Sequence, residues 1–127
     1  MVQKTTISEP ARDVDIIHRT EVLVVGSGPG GLPAALASAR AGAEVMLVER
    51  FGCFGGNLTV VGVEGMHWYR HEETIESNGI AREFEERAKQ MGAANPESQS
   101  LSYEIDSEGF KLVADTLVVE EPNIQPM

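Results

Sequence analysis

Val22 to Val25 is an unbroken run of four apolar residues, the pattern of a parallel strand buried on both faces. A glycine-rich break comes next. Leu32, Ala35, Leu36 and Ala39 then recur at the three- and four-residue spacing of one buried helix face, and Ala34, Ala35, Ala37, Ala39 and Ala41 keep that helix thin. Gly42 ends it, and residues 44–48 return as a second apolar strand. Strand, turn, helix and strand make a βαβ unit, with parallel strands and a right-handed crossover.

Further along, residues 74–91 read as an amphipathic helix with Ile75, Ile80, Phe84, Ala88 and Met91 on one stripe and Glu83, Glu85, Glu86, Arg87 and Lys89 outward. Gly79 weakens its first half by about 1 kcal/mol relative to alanine, which moves the expected start toward Asn78. Gly92 is a natural stop. Residues 93–102, with Pro96, read as a polar loop. Asp106 or Ser107 can cap another helix that turns Phe110, Val113, Ala114, Leu117 and Val118 inward. Pro122 interrupts, and residues 123–127 read as the approach to a third strand that the sequence ends before making. Residues 1–20 read as an arm that either docks through Ile16 and Ile17 on a neighbouring surface or is disordered.

The glycines carry the chemistry. Gly26, Gly28 and Gly31 form G-x-G-x-x-G between the first strand and the helix. Gly26 permits the tight turn, Gly28 lets a phosphate approach the backbone, and Gly31 lets helix and strand pack closely. Pro33 sits in the first helical turn, where N–H groups have no intrahelical partner and losing one is tolerable. The remaining N–H groups and the positive helix end make an anion site.

Glu49 ends the second strand 21 residues after Gly28, near the offset of roughly 20 at which an acid accepts hydrogen bonds from an adenosine ribose. The same charge repels a 2′-phosphate, which disfavours NADP. Beyond it runs Arg50-Phe51-Gly52-Cys53-Phe54-Gly55-Gly56-Asn57-Leu58-Thr59. Adjacent glycines let N–H groups face phosphate oxygens without Cβ interference.

With the fingerprint extended to Ala35, followed by Glu49-Arg50 and Gly55-Gly56, residues 21–65 resemble the N-terminal part of the FAD-dependent oxidoreductases of the glutathione-reductase-like superfamily; the rest of the chain is similar more loosely. The resemblance implies an α/β fold with a Rossmann-type βαβ FAD-binding domain, present over residues 21–127 as its N-terminal portion with additional helices. It implies FAD as cofactor, with hydride or electron transfer through the flavin. It also implies a cofactor site of Gly26, Ser27, Gly28, Pro29, Gly30, Gly31, Glu49, Arg50, Gly55, Gly56 and Asn57. Glu49 would take the ribose, Arg50 would lie beside the adenosine, and Gly55, Gly56 and Asn57 would line the pyrophosphate side. Members of this family continue for a few hundred residues, so the chain is expected to be a fragment or a subunit completed by a partner chain or by self-association.

Two other functions fit the βαβ unit. One is a non-catalytic nucleotide-binding module; the other is an NAD-dependent dehydrogenase, which leaves the Glu49-Arg50 to Gly55-Gly56 segment unexplained. Cys53 is the single cysteine, so there is no second thiol for a redox dithiol, and its expected role is to fill the loop. His67, Trp68, Tyr69 and His71 are the one cluster able to face a substrate, either at a pocket mouth or packed in the core. The His67 to His71 spacing suits one helix face, but no third metal ligand accompanies it, and no metal is expected. Residues 1–70 carry 7 acids and 6 bases, whereas 71–127 carry 13 acids and 4 bases. That acidic second half argues against nucleic-acid and anionic-membrane partners. No apolar run approaches the roughly 20 residues of a membrane span, and the start has no apolar signal core. A cytoplasmic protein acting on a small molecule is the expectation.

Overall fold

The computed structural model describes residues 6–65, 70–71, 74–75, 78–97 and 102–127. A three-stranded parallel sheet is its centre: β1 (Val22–Val25), β2 (Val45–Val48) and β7 (Ile124–Pro126), in the order β1-β2-β7. Val22 to Val25 stand opposite Val45 to Val48, and Val45 to Leu47 stand opposite Ile124 to Pro126. All three strands therefore point the same way. Gly26, Glu49 and Met127 come directly after them at one shared edge of the sheet.

α1 (Gly31–Arg40) crosses from β1 to β2, and its buried residues are Leu32, Ala35, Leu36 and Ala39, the face expected from the spacing. α3 (Ser107–Glu120) leads into β7. Its N-cap is Asp106, whose side chain accepts from the Gly109 N–H at 2.6 Å, and Phe110, Val113, Ala114, Leu117 and Val118 are buried as expected. These residues share one core with Val45, Leu47 and Ile124, against which Val22 and Val24 pack. Phe110 meets Phe84 edge-on, with ring centroids 5.3 Å apart.

Several expectations are corrected. The third strand is made: Met127 N–H donates to Leu47 C=O at 2.9 Å, and Glu49 N–H donates to Met127 C=O at 2.8 Å. Three residues suffice because β2 already presents an ordered strand edge for them to pair with. β1 is not buried on both faces; Leu23 is 60% exposed and Val25 76%. Both helices cover the other face, where Val22 and Val24 point.

Residues 93–102 are not simply a polar loop. β5 (Ala94–Pro96) pairs antiparallel with β6 (Tyr103–Ile105). A two-stranded ribbon has only edge strands, where a proline without an N–H is tolerated. The helix expected from residue 74 begins at Ile80: α2 (Ile80–Gln90) comes after Gly79, whose φ of +73° is incompatible with continuing the helix backwards. Before it, β3 (Arg70–His71) pairs with β4 (Thr74–Ile75).

Glu85, expected outward, is fully buried and ion-paired with Lys89, while Met91, expected inward, is 43% exposed. α2 packs against α1, α3 and the β5–β6 ribbon, so its covered arc is wider than the apolar stripe and reaches Glu85. At the rim, Arg40 bonds both carboxylate oxygens of Glu83 and also Glu121, tying α1 to α2 and to the end of α3. Those two partners raise the Arg40 pKa further. His67, Trp68 and Tyr69 lie outside the described residues.

Candidate nucleotide site

The site begins where β1 runs out. Gly26 N–H donates to Val48 C=O at 2.7 Å, locking the start of the glycine turn to β2. Gly31 brings α1 up against that turn. A Cβ there would come within 1.8 Å of the Gly26 carbonyl oxygen and 3.5 Å of the Val24 side chain, so only glycine lets the helix start this close to the strand. Leu32 N–H donates back to Gly28 C=O at 3.0 Å and Ala34 N–H to Gly30 C=O at 3.2 Å.

The N–H groups of Gly28, Gly30 and Gly31 have no hydrogen-bond partner among the described residues. No side chain caps this helix end and no acid lies in its first turn. Nothing stands within 4 Å of where a Cβ on Gly28 would sit. Open donors at a helix N-terminus with no acid in its own first turn are the requirements of an anion site.

The second glycine pair closes over the first. Gly55 and Gly56 have φ of +108° and +54°, which glycine adopts without strain. Gly55 N–H donates to Ser27 C=O at 3.0 Å, and a Cβ on Gly56 would lie 2.6 Å from the Gly28 Cα. The two glycine segments, expected on separate grounds, are therefore in backbone contact. Asn57 lies next in a short 3-10 turn and is exposed; its carbonyl accepts from Val63 N–H at 2.9 Å. Thr59 is buried and bonds Phe54 C=O at 2.7 Å, which pins the loop from inside. Cys53 is half-buried, with its Sγ 3.8 Å from the Thr59 hydroxyl, consistent with a loop-filling role.

Glu49 sits at the shared edge as expected. Its Oε2 accepts from the Ser27 N–H at 2.7 Å and from the Ser27 hydroxyl at 2.6 Å, and its Oε1 accepts from Phe51 N–H at 3.0 Å. Partial burial pushes this carboxyl up, but the Ser27 hydroxyl, the Ser27 and Phe51 N–H groups and, least, the Arg50 N–H together outweigh it and hold the pKa at about 2. The carboxylate is ionised throughout the neutral range. Arg50 is exposed, with its guanidinium 4.6 Å from the centre of the Phe51 ring.

Beside Glu49 lies an open cleft of about 300 Å³ lined by Phe51, Gly52, Cys53, Phe54, Asp115, Pro126 and Met127. Sequence reasoning misses this wall, because Pro126 and Met127 reach it only through the third strand. A signal for it exists: ligands of open parallel sheets bind outside the carboxyl ends of the strands, so any further parallel strand contributes its C-terminal residues.

This arrangement defines a Rossmann-type α/β domain with its open donors and its carboxylate on one edge. The chain belongs to the FAD dependent oxidoreductase family, whose match covers residues 21–127, and its cofactor is FAD. Among curated relatives, the chain is 46% identical over 55 residues to digoxin reductase of Eggerthella lenta, a match taking in 42% of this chain and 10% of that protein. It is 34% identical over 99 residues to thiamine thiazole synthase of Metallosphaera sedula, covering 76% of this chain and 33% of the relative. In fold it resembles the crystal structure of Thermovibrio ammonificans THI4, with a TM-score of 0.53 at 21% identity, over 85% of this chain and 38% of that one. The chain thus spans no more than about a third of the length of either curated relative.

The donor set fits the ADP half of FAD: open N–H groups for a pyrophosphate, an ionised carboxylate for a ribose diol, and an apolar cleft next to it. Among the described residues no helix is long and apolar enough to cross a membrane.

Proposed function

We propose that residues 21–127 are the part of an FAD-dependent oxidoreductase that grips the ADP half of its cofactor. Gly26, Ser27, Gly28, Pro29, Gly30 and Gly31 hold the pyrophosphate, with Gly55, Gly56 and Asn57 along its other side. Glu49 takes the ribose, Arg50 borders the adenosine, and the cleft between Phe51 and Met127 receives the base. Bound FAD supplies hydride or electron transfer. The chain's own residues supply orientation. Neutralising the pyrophosphate falls to the open N–H groups and the positive helix end rather than to a cationic side chain. Glu49, held ionised and bonded from below, accepts ribose hydroxyls and repels a phosphate placed there.

The observation that carries this reading is the Glu49 carboxylate, fixed in advance by Ser27 and Phe51 beside a helix end whose N–H groups are open. Isothermal titration of the 127-residue chain tests it. ADP should bind, adenosine 2′,5′-bisphosphate should bind about tenfold or more weakly, and Glu49→Gln should lose ADP affinity by a similar factor, the scale of a hydrogen bond to a charged group. Absence of ADP binding to the wild-type chain would end the proposal.

The same reading includes a partner polypeptide that carries the rest of the family's fold. It is supported by the outer edge of β1, which pairs with no other strand among the described residues, by the exposure of Leu23 and Val25 beside it, and by the greater length of the relatives. A net charge of −10 favours a small-molecule substrate over nucleic acid, and a single cysteine suits the cytoplasm.

A further inference from the structure

The cleft beside Glu49 has apolar walls and few polar side chains. Phe51, Phe54, Pro126 and Met127 supply the walls, and the hydrogen-bonding side chains that line it are Glu49, Cys53 and Asp115. Glu49 is already engaged by the Ser27 hydroxyl and by the Ser27, Phe51 and Arg50 N–H groups, and the Cys53 Sγ lies 3.8 Å from the Thr59 hydroxyl. Asp115 is different: it is exposed, and it has no hydrogen bond or ion pair among the described residues.

Topology brings it there. α3 runs into β7, and β7 lies beside β2, so a residue on α3 and the loop after Glu49 come to line one cleft. The nearest cation along the helix does not neutralise it. Lys111, four residues earlier and able to pair with an acid at that spacing, bonds Glu108 Oε1 at 2.6 Å instead.

A carboxylate only accepts hydrogen bonds. In the adenine of a nucleotide the ring nitrogens are acceptors, and the exocyclic amine is the only donor. Apolar walls suit the faces of such a base. The acceptor that the cleft leaves open suits its single donor group.

We propose that Asp115 is a specificity-determining residue, which accepts a hydrogen bond from the exocyclic amine of the adenine and so makes the cleft select an aminopurine. This rests on the ADP-binding reading above.

The test compares ADP with purine riboside 5′-diphosphate, which lacks only the amine, by isothermal titration against the 127-residue chain at one salt concentration. The wild type should prefer ADP by about tenfold, the loss expected for a hydrogen bond to a charged group. Asp115→Ala should bring the two affinities level. Asp115→Asn keeps an acceptor oxygen without the charge and should retain a preference of about threefold. A change in net charge or in helix stability would shift both nucleotides together, so the ratio of the two isolates the contact with the amine.

Equal binding of the two nucleotides by the wild type would overturn the proposal, because nothing in the cleft would read the amine. A tenfold preference that survives Asp115→Ala would overturn it as well, since the acceptor would lie elsewhere. Failure of ADP itself to bind the wild type strikes the ADP reading instead. Asp115 is exposed, so its replacement removes no core side chain and both variants should fold like the wild type.

Discussion

The two faces of the sheet are made of the same kinds of residue and meet opposite fates. Val22, Val24, Val45, Leu47 and Ile124 point toward α1 and α3, and Leu47 is 0% exposed. Leu23 and Val25 alternate with them along β1 and face away, at 60% and 76% exposed. Only the middle strand keeps its outward side covered, with Met46 at 3% between Leu23 and Gln125. Apolar character does not by itself create burial; a second layer does, and within the described residues only one face has it.

Truncation separates the faces most sharply. Leu47→Ala removes a side chain from a filled core and should destabilise the chain by about 2–5 kcal/mol. Leu23→Ala, one pleat away on the neighbouring strand, should stay within about 0.5 kcal/mol. Urea unfolding of both variants measures this. A Leu23→Ala cost approaching that of Leu47→Ala would show that the outer face is covered in solution, and the contrast would be gone.

The same contrast explains what is legible in the sequence. Periodicity reports which residues are apolar, so β1, α1, β2 and the inward face of α3 can be read from it, Asp106 as a cap included. It does not report whether a covering layer exists, so Leu23 and Val25 read as buried when they are not. Glu85 misleads in the other sense: a charged residue reads as outward, but α2 is enclosed on several sides and Lys89 supplies an ion pair at its own helix face. Pro96 disguises β5, and the brevity of Ile124–Pro126 disguises β7.

The site divides similarly. The glycine turn and Glu49 are legible because their spacing is set by one βαβ unit. The bonds from Ser27 to Glu49 and the contact of Gly56 with Gly28 join residues 22 and 28 positions apart. Such pairings depend on how the two loops meet in space. Nothing local in the sequence encodes them.

Glu49 stands on the rim where the two faces end, and its effect should be intermediate. Its folded pKa of about 2 lies below the ordinary 4.5. A carboxyl lowered on folding contributes stability that is fully present above the unfolded value and is lost as pH falls through the folded one. Between pH 7 and about 4.5 wild type and Glu49→Gln should therefore differ by a constant amount. From about 4.5 down to about 2 the difference should shrink toward zero. Thermal unfolding monitored across that range checks it. A gap that stayed constant to pH 2 would mean that Ser27 and Phe51 do not hold the carboxylate in its charged form.

The smallest expected effect is also the sharpest probe of the outer face. Leu23→Lys with Val25→Lys places two charges on β1 without touching the helix-covered core. Lysine at an exposed edge strand is a common device against edge-to-edge association, and its long stem can lie along the surface while the ammonium stays in water. For this chain the change in unfolding free energy should remain within about 0.5 kcal/mol. Meanwhile, any self-association seen by sedimentation of the wild type at high concentration should weaken, because the apolar face beside the outer strand edge would carry like charges. If a polypeptide completing the sheet is supplied, as proposed above, the wild type should bind it and the double variant should not. A double variant that unfolds in isolation would place Leu23 and Val25 in a covered layer. A variant that is stable yet still assembles would move the partner's contact away from β1. The outer face then has the meaning argued for it only if stability and assembly part company, the first unmoved and the second lost.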